Sequence, residues 1–165
     1  MKRLYIIRHA KSSWANNQLS DFDRPLNDRG NRDAPIIGEV LKNKKVKPDL
    51  VISSSAKRAL TTAKILSDII GYPIENIEES YEIYETTTQN LLDVVNDIDD
   101  INNSVILFGH NPGFTRLANL LGDKYIENLP TCAVAEIELD VDSWEDVGID
   151  SGKLVSFEYP KKYNK

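Results

Sequence analysis

Short apolar runs recur along the chain, separated by polar loops and by stretches whose apolar residues fall at helical spacing. Leu4 to Ile7 is the first run and predicts a buried strand. A loop rich in Ser, Asn and Asp follows, from about Ala10 to Arg24. From Asn27 or Asp28 toward Lys44, the spacing of Ile36, Ile37, Val40 and Leu41 predicts a helix. Pro35 lies within it and is expected to kink it or shift its start, because proline lacks the N–H that a helix interior uses. Asp49 to Ser53 predicts a second buried strand. Ser55 stands where a side-chain cap would open the next helix, Ala56 to Ile70, which Gly71 closes. Pro73 to Ile77 reads as a short strand. Gln89 to Ile98 reads as a third helix with Leu91, Leu92, Val94, Val95 and Ile98 inward. Ser104 to Gly109 is the clearest strand, and Pro112 suits the first turn of a helix running to Leu121. Ala133 to Leu139 and Lys153 to Tyr159 alternate and predict an antiparallel pair. The polar, basic end from Pro160 to Lys165 is expected to fray.

Strands alternating with helices, then a late strand pair, predict an α/β layer sandwich with a mainly parallel sheet. No repeat, low-complexity tract or linker interrupts the pattern, so residues 1–165 are expected to form one domain. A chain of 165 residues buries enough surface for a core without disulfide or metal staples.

Composition narrows the function classes. No apolar run approaches the ~20 residues of a membrane span. The stretch after Lys2-Arg3 is too short for a signal peptide, and Cys132 is the only cysteine, so a cytoplasmic protein is expected. A net charge of −6 argues against general nucleic-acid binding. Residues 1–64 carry 14 Lys+Arg against 6 Asp+Glu, and residues 65–165 carry 6 against 20. Basic groups therefore gather in the half that holds most of the motifs below. The run from Glu75 to Asp100 has nine acidic residues and no basic one. It reads either as a solvated face or as a surface that steers a basic partner.

Three segments lie just beyond the C-terminal ends of predicted strands: Arg8-His9, Ser53 through Arg58, and Gly109-His110-Asn111-Pro112-Gly113. Ligands of open α/β sheets bind at that edge. The segments bring two imidazoles and two guanidiniums there, and they contain both histidines of the chain. A guanidinium is a permanent fork of donors that matches phosphate oxygens. Phosphoryl transfer asks mainly for positioning and for stabilisation of charge on those oxygens. A neutral, aimed imidazole is a competent nucleophile. The rival reading has Arg8 and Arg58 as surface arginines paired with carboxylates. Metal hydrolysis is poorly supplied with nitrogen and sulfur ligands, so neither metal nor cofactor is expected. Neither a phosphate-binding Gly-rich loop, a serine elbow nor a cysteine-nucleophile motif is present, and Cys132 reads as a small core or loop residue.

Taken together, these motifs resemble the histidine phosphatase (phosphoglycerate mutase-like) superfamily, and within it the small SixA-type phosphohistidine phosphatases. Leu4 to Lys11 is similar to its opening Arg-His signature, and Asp23 to Gly30 to its Arg-Pro-Leu element. Ser53 to Ala63 resembles the segment of the second phosphate arginine, and Val105 to Gly113 the second-histidine motif. The resemblance implies a three-layer α/β/α sandwich with a mainly parallel mixed central sheet, phosphoglycerate mutase-like. It implies that His9 takes the phosphoryl group, that Arg8 and Arg58 bind its oxygens, and that His110 donates a hydrogen bond to it. Asn111 would shape the pocket, and Asn27 stands where relatives carry Thr or Ser. Ser13 and Lys11 are candidates for reaching phosphate, and Trp14 for walling the pocket.

A proton donor is the least determined part. Larger members take a carboxylic acid from the region that here reads Glu78 to Glu85, which makes Glu82 and Glu85 the candidates. A phosphohistidine releases an imidazole, with a pKa of ~6.5, and such a group needs little acid help. An alkoxide needs much more. Three readings follow: a phosphatase acting on protein phosphohistidine, a small-molecule phosphomonoesterase, or a non-catalytic phospho-ligand binding module. The last predicts loss of Arg8, His9, Arg58 or His110, and all four are present.

Overall fold

The computed structural model describes residues 1–164. Six strands form one sheet: β1 (Lys2–Arg8), β2 (Leu50–Ser54), β3 (Glu78–Ser80), β4 (Ser104–Gly109), β5 (Val134–Leu139) and β6 (Gly152–Glu158). Their order is β3-β2-β4-β1-β5-β6. The first four are parallel, while β5 pairs antiparallel with β1 and β6 with β5. Four helices connect them: α1 (Asp28–Asn43), α2 (Lys57–Ile70), α3 (Thr88–Asn96) and α4 (Gly113–Leu121).

Residue alternation decides which face each helix covers. Tyr5, Ile7, Ile106 and Phe108 point to one side and pack against Ile37 and Leu41 of α1 and Ala63 and Leu66 of α2. Leu4, Ile6, Val105 and Leu107 point to the other and meet Leu91 and Val95 of α3 and Phe114, Leu117 and Leu121 of α4. Two helical layers thus enclose the sheet, which is the expected α/β/α sandwich. The parallel strands are buried on both faces, so they read as unbroken apolar runs.

Several local expectations change. Pro35 is accommodated inside α1 without shifting its start, which Asn27 caps by accepting a hydrogen bond from the Gly30 amide (2.9 Å). Ser55 does not cap α2. Ala56 is the cap residue and its amide donates instead to Ser54 Oγ (3.2 Å). Gly71 closes α2 as expected, at φ 85°. The segment expected as a strand at Pro73–Ile77 is a 3₁₀ turn (Ile74–Asn76), and β3 begins after it. Pro73 and the polar Glu75-Asn76 pair favour a turn over a ladder there. The end is ordered too: Pro160–Lys162 is a 3₁₀ turn with Pro160 buried, and the Tyr163 hydroxyl donates to Glu158 Oε2 (2.9 Å). Lys165 lies outside the described residues.

Candidate active site

The register of the sheet sets the site. Arg8 of β1 is level with Gly109 of β4, so His9 and His110 emerge side by side one residue later. Their ring centres are 5.2 Å apart. Ser53 of β2 is level with Phe108, which brings Ser54 against His110 from the other side.

His9 is fixed through its backbone. Its amide donates to the Gly109 carbonyl (2.9 Å) and its carbonyl accepts from the Cys132 amide (3.0 Å). Its ring Nδ1 lies 2.6 Å from the Ala10 carbonyl. A carbonyl only accepts, so Nδ1 carries the proton and Nε2 keeps its lone pair. The Ala10 amide is in turn tied to Thr62 Oγ1 of α2 (3.0 Å).

His110 has the complementary arrangement. Its Nε2 lies 2.8 Å from Ser54 Oγ. Ser54 is fully buried, its hydroxyl accepts from the Ala56 amide, and His110 Nε2 is the one acceptor in reach of its proton among the described residues, so that proton goes to His110 Nε2. That leaves the proton of the neutral ring on Nδ1, which is buried and has no partner. Arg8 donates Nη1 to the Leu129 carbonyl (2.9 Å), and its buried Nε also lacks a partner. Each buried donor left unpaired costs about 1–3 kcal/mol. An anion with several acceptor oxygens relieves both at once.

Both imidazoles are held neutral. Burial lowers the His9 pKa to about 4, with the neighbouring guanidiniums of Arg58, Arg8 and Arg24 reinforcing the shift against the Ala10 hydrogen bond. Burial, then His9 and Arg58, lowers His110 to about 3. Burial and Arg58 also pull down Arg8.

Arg58, in the first turn of α2 and buried, engages Asp21 with both terminal nitrogens. Nη2 donates to Oδ2 (2.9 Å) and Nη1 to the main-chain carbonyl (2.6 Å). Asp21 sits on a 3₁₀ turn (Asp21–Asp23) in the loop after β1. It also accepts from the Tyr84 hydroxyl (2.5 Å) and from Arg24 Nη1 (2.8 Å). Asp21, Tyr84 and Ser54 are not candidate site residues by sequence, and Arg24 enters there only as part of the Arg-Pro-Leu element. Ser54 carried a usable signal, since it lies in the segment before Arg58. Asp21 carried none within its polar loop.

Other expected residues have structural duties. Asn27 spends its oxygen on capping α1. Asn111 donates its amide to Asn128 Oδ1 and the Leu129 carbonyl, and accepts from Thr115. It therefore holds the carbonyl that anchors Arg8. Ser13 Oγ accepts from the Ala15 amide. The Lys11 ammonium makes no hydrogen bond among the described residues. Trp14 is 72% exposed and covers Arg24, whose guanidinium carbon is 3.3 Å from the ring centre, rather than walling the site directly. Glu82 is exposed and lines a groove with Leu50, Ile52 and Ile98, away from the histidines. Glu85 is exposed as well. Neither bonds to His9, His110, Arg8 or Arg58, and Tyr84 between them takes the place beside His110, edge-on at 5.4 Å. Among the described residues no group of three or more His, Cys, Asp or Glu side chains is placed to hold a metal. No described helix is long and apolar enough to cross a membrane.

Comparison with known proteins bears on the family and the fold. The family model described as histidine phosphatase superfamily (branch 1) matches residues 4–111. An uncharacterized chloroplast protein of Arabidopsis thaliana is 31% identical over 159 residues, covering 92% of this chain and 72% of that protein. The crystal structure of the candidate phosphohistidine phosphatase SixA from Agrobacterium tumefaciens superposes with a TM-score of 0.81 at 26% identity, covering 96% of this chain and 98% of that one. A protein histidine phosphatase SixA complexed with tungstate gives 0.80 at 23% identity, covering 98% and 99%.

Proposed function

The chain belongs to the histidine phosphatase superfamily, and from that premise we propose that it is a metal-independent phosphatase that hydrolyses protein phosphohistidine through a covalent phosphohistidine on His9. The observation that carries this reading is the pair of buried, unpartnered donors, His110 Nδ1 and Arg8 Nε, beside an imidazole whose Nε2 lone pair is free. Those are the parts an in-line phosphoryl transfer needs. In this account the His9 Nε2 lone pair attacks phosphorus as the bond to the leaving group breaks. Arg8, Arg58 and His110 donate to the equatorial oxygens, where charge accumulates. Water then attacks the phosphoryl group on His9 from the side the leaving group vacated, and returns the free imidazole and phosphate.

The substrate assignment rests on what surrounds the histidines. Glu82 lines a groove that includes neither histidine, Glu85 is exposed, and neither bonds to His9 or His110, so among the described residues no carboxylic acid is hydrogen-bonded to the histidines to protonate an alkoxide. An imidazole leaving group does without one. The SixA likeness points the same way. A free, buried Cys132 accords with a cytoplasmic setting.

The test is phosphate release in excess chelator, from a phosphohistidine protein and from p-nitrophenyl phosphate in parallel. The expected result is chelator-resistant activity with a higher kcat/KM on phosphohistidine. Activity on the ester alone would replace this reading with a phosphomonoesterase. Activity on neither substrate, in folded protein, would leave a phospho-ligand binding module.

A further inference from the structure

Asp21 is the one carboxylate bonded to either phosphate arginine among the described residues, and the reaction above gives it no task. It is also oddly placed. A fixed anion at the rim of a phosphate site repels a dianionic substrate. Yet the site holds it firmly. Arg58 and the Tyr84 hydroxyl share Oδ2, Arg24 takes Oδ1, and Arg58 takes the carbonyl as well. Arg24 is itself buried and donates Nε to the Ser13 carbonyl (3.0 Å) and Nη2 to Ser12 Oγ. Phe22, next in the chain, stacks on Tyr81 and meets Tyr84 edge-on. The carboxylate cannot swing aside without breaking this set.

A proton donor is one explanation for such an acid, and the surroundings remove it. Burial alone would raise the Asp21 pKa, but the hydrogen bonds from Tyr84, Arg24 and Arg58 outweigh that and hold it well below the usual carboxylate range. It is ionised whenever the enzyme works. Tyr84, by burial and by its bond to that anion, is pushed up to about 12 and stays protonated. What remains for a fixed carboxylate is to accept a hydrogen bond from something positive.

Phosphohistidine supplies that partner. A ring phosphorylated on one nitrogen leaves as imidazolate, a strongly basic anion, if its other nitrogen is bare. It leaves as neutral imidazole if the other nitrogen carries a proton. Resting on the phosphohistidine reading, we propose that Asp21 is a specificity-determining residue that accepts a hydrogen bond from the distal ring N–H of the substrate phosphohistidine and keeps that ring protonated while the P–N bond breaks. His9 Nε2 forms the new bond to phosphorus, and the electron pair of the old P–N bond stays on the substrate ring. The distal proton stays where it was, so the ring departs neutral. Exposure fits this role: the Asp21 side chain is 37% accessible against 8% for Arg58, so of the bonded pair the carboxylate is the partner that an incoming side chain can reach. The same charge disfavours phosphoesters that carry a second anionic group.

The experiment compares kcat/KM of the wild-type protein and Asp21→Asn on phosphoimidazole and on p-nitrophenyl phosphate, at pH 6 and pH 8. Asparagine keeps an acceptor for Arg58 and removes the charge. The expected result is that the phosphoimidazole-to-ester ratio falls about tenfold or more, the size of one pKa unit. The deficit widens at pH 8, where a free imidazole ring is mostly unprotonated. Tyr84→Phe, which leaves the charge but removes one brace, shifts the ratio in the same direction by less. Equal losses on both substrates in Asp21→Asn would overturn the proposal, since Asp21 would then only brace Arg58. An unchanged ratio without loss would overturn it too. If the wild-type protein cleaves the ester but not phosphoimidazole, it is the phosphohistidine reading that falls, and this assignment with it.

Discussion

The two imidazoles sit among guanidiniums and behind a buried strand end, which is a poor place for another cation. Folded, His9 and His110 titrate near 4 and 3, against about 6.5 in an unfolded chain. Both are therefore neutral at pH 5.5, and a ring-nitrogen NMR titration should show no midpoint near 6.5. The sign for stability follows. The unfolded chain binds the extra protons, so stability is full above about pH 6.5 and falls as the pH drops toward 4. The slope is at most about 1.4 kcal/mol per pH unit for each histidine. Urea unfolding at pH 7.5 and 5 should show a larger loss for the wild type than for the His9→Ala/His110→Ala double variant; equal losses would contradict the burial argument. The two acids that sequence reading offered as donors give a second expectation. Glu82→Gln and Glu85→Gln should each leave kcat on phosphohistidine within about twofold, the range of exposed substitutions away from such features. A hundredfold fall in either would restore that residue as the donor. At this scale the sequence singles out candidate residues only where they follow a strand. Arg8, His9, Arg58 and His110 are legible for that reason. Asp21 and Tyr84 are not, because their roles depend on a polar loop folding back over α2.

Elements bring these groups together through close contacts that tolerate little change. The loop after His9 passes so near α1 that a Cβ on Gly30 would lie 2.1 Å from the Lys11 carbonyl oxygen. That carbonyl also accepts from the Asn27 amide (3.0 Å). Gly30→Ala must push backbone rather than a flexible side chain, so it should destabilise by about 1–3 kcal/mol. Its kcat should fall beyond what partial unfolding explains, because the loop carries Asp21 as well. Thermal unfolding and activity at a temperature where both proteins are folded check this; normal activity would show that the loop adapts. The strand–helix alternation was readable because buried parallel strands are unbroken apolar runs and α1 and α2 have clear inner faces. The segment at Pro73–Ile77 was misread as a strand because a short apolar and proline-flanked run fits a turn equally well. Asn27 and Asn111 are legible as candidates from their motifs, but the structure spends their amides on a helix cap and on the Leu129 carbonyl.

Across the whole molecule, part of the acidic excess of the C-terminal half lies beside the edge strand β3. Glu78, Glu79, Glu82, Asp97 and Asp99 line one groove there. A surface of one sign steers oppositely charged partners, and salt screens the effect. The kcat/KM for a basic phosphohistidine protein should therefore fall as ionic strength rises, while that for p-nitrophenyl phosphate changes little. A flat response for both would remove the steering role. Sheet order was not readable from sequence, because nothing local states that β4 inserts between β1 and β2. That insertion is what sets His110 beside His9, so the site is a property of topology as much as of motif. The proposed reaction passes through one covalent event. Rapid-quench mass spectrometry of the protein during turnover should find an acid-labile phosphoryl group on His9 in the wild type, absent in His9→Ala, which should bind tungstate but release no phosphate. A phosphoryl group on another residue, or steady turnover by His9→Ala, would contradict it.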